Sequence, residues 1–85
     1  MITDTSTIID ELKNYIRENI LSPEVAIDAD TQLQNAGVDS FATVEIILFI
    51  ERKFGVMIPD DKLVPENFQT LRALSETVHA LMHRP

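Results

Sequence analysis

No cysteine occurs in the 85 residues of this chain, so neither a disulfide staple nor a thiolate metal site is open to it. That fits a reducing compartment, and a cytoplasmic location is expected. Tryptophan is absent, and glycine occurs only at Gly37 and Gly55. Two isolated glycines exclude a Gly-rich phosphate loop. Long apolar runs are missing too. The longest, Ile46 to Ile50, is far too short to cross a bilayer, and no membrane insertion is expected. The N-terminus lacks the basic-then-apolar layout of a signal peptide. Positive charge is scarce: seven Lys and Arg stand against 14 Asp and Glu, a net charge of −7. Nucleic acid demands a basic face and is excluded as a partner. Acidity of this size suits partners with basic docking patches, and it also keeps a small domain soluble.

What is present is enough apolar residue, 45% of the chain, to form a core. The length corresponds to one small domain, residues 1–85, expected to be monomeric and only modestly stable. Met1 to Thr7 is polar and reads as a frayed start. Thr7 with Asp10 forms a loose capping box. Ile8, Ile9, Leu12, Tyr15, Ile16 and Ile20 recur at spacings of three and four, one face of a helix that ends near Asn19 or Ile20, ahead of Pro23. Leu21 to Asp39 is long for a connection in so small a domain. Val25, Ile27 and Leu33 are expected to pin it to the core. Asp30 is expected to cap a single turn, Asp30-Thr31-Gln32-Leu33.

Gly37-Val38-Asp39-Ser40-Phe41 then opens the central helix. Gly37 permits a sharp reversal, and either Asp39 or Ser40 can cap the helix. The run from Phe41 to Phe54 has no Gly or Pro, and Gly55 and Pro59 lie beyond its end. Ser40 therefore sits at the positive end of the helix, where an attached phosphodiester would meet a favourable dipole and free N–H groups. On a helical wheel Thr43, Ile47, Ile50 and Phe54, with Ile46 beside them, form the core stripe. Phe41, Val44 and Leu48 form a second apolar stripe about 100 to 120° away. Glu45, Glu51 and Arg52 border it. A bundle this small cannot bury a helix on every side, so the second stripe reads as a docking surface. Past Gly55, Ile58 points inward, Pro59 opens a turn, and Pro65-Glu66-Asn67-Phe68 makes one short helical turn anchored by Phe68. Thr70 caps a last helix with Leu71, Leu74, Val78, Leu81 and Met82 inward. His79 and His83 lie four apart near its end. They suit the negative pole of the helix dipole, no third ligand is evident nearby, and no metal is assigned to them.

Several of these phrases together resemble one family. Gly37-Val38-Asp39-Ser40-Phe41, Val44-Glu45 and Phe54-Gly55-Val56-Met57-Ile58-Pro59-Asp60 are similar to acyl carrier proteins, a group that includes aminoacyl and peptidyl carriers. The resemblance runs from about Ile8 to Leu81. It implies an all-α four-helix bundle, three longer helices and one short, in the order long, long, short, long. It implies phosphopantetheine attached covalently to Ser40, with Asp39 as a recognition or metal-side group. Cargo would ride as a thioester on the arm's thiol. Implied partners are a phosphopantetheinyl transferase, an acyl- or aminoacyl-activating ligase, and a downstream acyltransferase or synthase. They would be met through Phe41, Val44, Glu45, Leu48, Glu51 and Arg52. Two departures matter. Phe41 replaces the usual Leu, and Arg52-Lys53 stands where fatty-acid carriers are acidic. With the Pro-Glu-Asn-Phe phrase, these favour a free-standing carrier of a specialised pathway, such as aminoacyl transfer or secondary metabolism.

No catalytic constellation accompanies Ser40. Phe41 and Ala42 come after it, so there is no Gly-x-Ser-x-Gly elbow, and neither His is its sequence neighbour. The hydroxyl is expected to be unactivated and the chain not to be an enzyme. The alternative to a carrier is an unmodified acidic helical adaptor that binds through Phe41, Val44 and Leu48. A hydrolase is a distant third.

Overall fold

A computed structural model describes residues 4–83. All of its regular structure is helical among the described residues. Three long helices, α1 (Thr5–Asn19), α3 (Ser40–Phe54) and α4 (Leu71–Met82), are joined by segments that carry one α-turn, α2 (Leu33–Ala36), and two 3-10 turns at Asp60–Lys62 and Pro65–Phe68. The short helix expected between the last two long ones is the Pro65–Phe68 turn, with Pro at its start.

α1 begins earlier than the sequence suggests. Asp4, not Thr7, is its N-cap: the Thr7 N–H donates to Asp4 Oδ1 at 2.9 Å, and Thr5 to Thr7 are helical. Asp4 lies one step outside the helix, where a side-chain oxygen can reach a free N–H, whereas Thr7 is already inside. Met1 to Thr3, the rest of the expected frayed start, lie outside the described residues. Ile8, Leu12 and Ile16 are buried, and Ile9, Tyr15 and Ile20 pack at the core's edge. The helix closes at Asn19, as its periodicity predicts.

The first loop is tied down at several points. Ile27 and Leu33 are buried, and Val25 packs beside them. The Leu33 N–H donates to the Gln69 carbonyl, and the Arg72 N–H donates to the Ala29 carbonyl, both at 2.9 Å. The turn expected at Asp30 to Leu33 instead runs from Leu33 to Ala36, with Gln32 at its cap position and no side-chain cap. Asp30 is occupied elsewhere. Its two oxygens accept from Arg72 Nε at 2.7 Å and Arg72 Nη2 at 2.9 Å. A guanidinium from α4 offers that carboxylate a forked pair of bonds that a one-turn helix cannot match.

α1 packs mainly against α4, and α3 lies against both. Leu71, Leu74 and Val78 meet Ile8, Leu12, Ile16, Ile46 and Ile50 in one core. Ser75 is the one buried polar residue among those described, and its hydroxyl donates to the Arg72 carbonyl at 2.9 Å. That local bond explains why a serine is tolerated in an otherwise apolar stripe. Thr70 caps α4, accepting from the Ala73 N–H at 3.1 Å.

α3 is rotated from the expected orientation. Its buried residues are Ala42, Ile46 and Ile50. Thr43, Ile47 and Phe54 flank that line rather than define it. The rotation makes room for Phe49, which stacks on Tyr15 of α1 with ring centroids 4.1 Å apart and meets Phe54 edge-on at 6.3 Å. An aromatic contact of this kind adds to area burial, and it draws the α1-facing side of α3 inward.

Candidate functional site

The backbone around Ser40 is a reversal between two helices. Gly37 ends α2 in the left-handed region, with φ 119°. That conformation favours glycine, and a Cβ there would also press to within 3.2 Å of Leu21 Cδ2, a side-chain end that would have to shift by a few tenths of an ångström. Val38, 3% exposed, anchors the next residue in the core. The chain then turns outward. Asp39 is the N-cap of α3: its Oδ1 accepts from the Ala42 N–H at 2.8 Å, and its carbonyl accepts from the Thr43 N–H at 2.9 Å.

This settles which of the two candidate caps acts. Asp39 caps, and Ser40 is the first residue of the helix. Ser40 is exposed, and its hydroxyl makes no hydrogen bond among the described residues. The Ser40 and Phe41 N–H groups precede the first intrahelical bond and are free of the ladder. A phosphate on Ser40 Oγ fits here. It gains two unpaired donors and the positive pole of a 15-residue helix. The Asp39 carboxylate, one of whose oxygens accepts from the Ala42 N–H, remains a negative charge beside it that these donors and the helix pole must offset.

Beside Ser40 lies an open groove of about 290 Å³. Val38, Ile47, Val64 and Phe68 supply apolar surface, and Gln34, Thr43 and Ser40 line it as well. Phe68, expected to be a core anchor, is half-buried and divides itself between core and groove. Nothing in the local pattern of the first loop points to Gln34 as a neighbour of Ser40. Only the placement of α2 brings it there.

Next to the groove, α3 presents its second apolar stripe to solvent. Phe41 is 74% exposed, Val44 54% and Leu48 51%. Glu45 and Glu51 are half-buried at its margins, and the Glu51 carboxylate is turned toward the Ile58 N–H at 3.4 Å. Arg52 is exposed. The basic pair is split: Lys53 faces α1, where its Nζ lies 3.4 Å from Glu11 Oε2. Arg52 alone therefore supplies positive charge at the lower end of the stripe.

Known proteins share this outline. The family model for phosphopantetheine attachment sites matches residues 10–78. An aminoacyl carrier protein of Agrobacterium fabrum is 33% identical over 61 residues, 72% of this chain and 74% of that protein. A chloroplastic acyl carrier protein 1 of Spinacia oleracea is 27% identical over 77 residues, 89% of this chain. The match spans about half, 54%, of the spinach protein's own length. Among solved structures, this chain is similar to one in the crystal structure of Bradyrhizobium japonicum glycine:[carrier protein] ligase complexed with glycylated carrier protein. The TM-score is 0.71 and the identity 27%, covering 86% of this chain and 96% of that one.

Proposed function

The chain belongs to the phosphopantetheine attachment-site family, and from that premise we propose that Ser40 is the attachment point and that the cargo is an aminoacyl group. The observation that carries the first part is the division of labour at the mouth of α3. Asp39 does the capping, which leaves the Ser40 hydroxyl exposed and unbonded. Carriers of this family are not enzymes, and among the described residues no histidine lines the groove beside Ser40: His79 and His83 stand at the C-terminal end of α4. A phosphopantetheinyl transferase supplies the chemistry. Ser40 Oγ loses its proton and forms a bond to the β-phosphorus of coenzyme A, and the bond to the nucleotide half breaks.

Once attached, the arm supplies a terminal thiol on which cargo is held as a thioester. The protein's own residues do the rest. The first-turn N–H groups, beside the Asp39 cap, would hold the phosphate of the arm. The groove beside Ser40 offers apolar surface to whatever part of the arm folds back. Phe41, Val44 and Leu48 present the contact surface, with Glu45, Glu51 and Arg52 around it, and Asp39 also serves in recognition by the transferase. Tethering converts each later transfer into an event at high effective concentration.

The aminoacyl reading rests on the Agrobacterium fabrum relative and on the glycylated carrier of the Bradyrhizobium complex. It is supported by Arg52, whose sign disfavours partners with uniformly basic patches. An aminoacyl-activating ligase and a downstream acyltransferase then complete a specialised pathway. In the test, the chain is incubated with coenzyme A and a broad-specificity transferase and weighed by mass spectrometry. One phosphopantetheine should be gained, and Ser40→Ala should gain none. An unmodified wild-type chain would overturn the reading. Binding of a partner by the unmodified chain, undiminished in Ser40→Ala, would favour the adaptor instead.

A further inference from the structure

At the end of α4 remote from its Thr70 cap, His79 and His83 lie one turn apart, with ring centroids 4.2 Å apart and planes inclined at 40°. Neither belongs to the carrier chemistry: the loop bearing Gln34 meets the opposite end of α4, through Leu33 and Gln69. We propose that these two imidazoles form a chelating site for a late first-row divalent cation, Cu²⁺ before Ni²⁺ and Zn²⁺, on the surface of the chain.

The spacing is right for one ion. Metal–nitrogen bonds to imidazole are about 2.0–2.1 Å, which places a ring centroid roughly 3.2 Å from the metal. With each ring turned edge-on to a shared ion, centroids kept at 4.2 Å would subtend roughly 80° there. That is near the right angle that adjacent ligands make in a tetragonal complex, the geometry of Cu²⁺ and Ni²⁺ with nitrogen donors. The rings need only turn a nitrogen each toward a common point. Two histidines at i and i+4 on a helix are a recurring half of metal sites for this reason.

Three further features favour a cation here. Both residues stand at the C-terminal end of a 12-residue helix, where the dipole is negative, and the His83 N–H is taken by the His79 carbonyl at 3.1 Å. Asp4, at the start of α1, is close enough to His79 to feel its charge. Its carboxyl is held below the usual range first by the Thr7 N–H, with a smaller contribution from the charge of His79. The chain carries a net charge of −7. No group of three or more metal-ligating side chains exists among the described residues, so the remaining positions on the ion belong to water. The site is thus open and of moderate affinity, unlike a four-ligand structural site. His83 is exposed and His79 half-buried, so the ion reaches them without unfolding α4.

The test uses the full, untagged chain, titrated with Cu²⁺ and then Ni²⁺ at neutral pH by calorimetry, and with Cu²⁺ by electron paramagnetic resonance. We expect one ion per chain, dissociation in the micromolar range with Cu²⁺ tighter than Ni²⁺, and coupling to two nitrogens in the Cu²⁺ spectrum. His83→Ala, an exposed change that leaves the core intact, should weaken binding at least tenfold, and His79→Ala should do the same with an unchanged helical circular-dichroism spectrum. The proposal is overturned if the wild-type chain takes up no Cu²⁺ below about 100 µM, or if both variants bind as well as wild type. Since the ion needs nothing at Ser40, the result is independent of whether that residue is modified.

Discussion

Asp39 caps α3 and is proposed to serve a second role beside Ser40, and substitutions can separate the two. As an N-cap it holds the first turn of α3. As a carboxylate next to Ser40 it is, in the reading proposed above, a group that the transferase recognises. Asn caps about as well as Asp, whereas Ala at an N-cap costs about 1 kcal/mol. Asp39→Asn should therefore keep the denaturation midpoint of the wild type while slowing phosphopantetheine attachment. Asp39→Ala should lose roughly that 1 kcal/mol as well, as measured by urea denaturation. Equal attachment rates for Asn and Asp would confine Asp39 to capping. The sequence alone left Asp39 and Ser40 as rival caps, because both residue types serve. The structure separates them by a single position: the residue with extended backbone angles caps, and its successor is helical.

At the scale of the element, α3 divides its surface into a core line, an α1-facing side and an outward stripe. The hydrophobic pattern revealed two apolar stripes and hence an exposed one. It misjudged the centre of the buried line, because Phe49 reads as just another apolar residue until Tyr15 is placed against it. The same rotation decides the fate of the two adjacent cations. Arg52 remains on the outward side, while Lys53 pairs with Glu11. Arg52→Glu should slow loading by the activating ligase several-fold, with an effect that shrinks as salt is raised. Lys53→Glu should leave loading unchanged and move stability by less than about 1 kcal/mol, since its pair is half exposed. A loading assay at two salt concentrations reads both. Equal loading by the Arg52 variant would remove that residue from the docking surface.

For the whole molecule, one acidic group, Asp30, ties the first loop to α4, while Asp28 holds a turn within that loop and Asp4 caps α1. Asp30 is held below the usual carboxylate range by the Arg72 guanidinium. Asp28 is held there by the Asp30 N–H and the Thr31 hydroxyl, and Asp4 by the Thr7 N–H. Because these values are depressed in the fold, the groups contribute stability that is present above the ordinary value of about 3.9 and is lost as pH falls through the folded values. The urea midpoint should show no contribution from these groups to its slope between about pH 7 and 5, then decline below about pH 4. Asp30→Asn should flatten that decline. Arg72, its pKa raised by Asp30, stays charged across the whole window. A midpoint indifferent to acid down to about pH 2.5 would show that these bonds contribute nothing to the fold.

By itself the sequence determined the three long helices, their Gly55 and Thr70 boundaries, and a serine at the mouth of the central one. Each of these comes from local spacing and from backbone preferences of a few neighbouring residues. Only tertiary structure decided where α2 lies, which side of α3 is buried, and what Asp30 and Lys53 pair with. Those outcomes depend on partners tens of residues away, such as Arg72 for Asp30 and Glu11 for Lys53. No local periodicity encodes a contact whose other half is on a different helix.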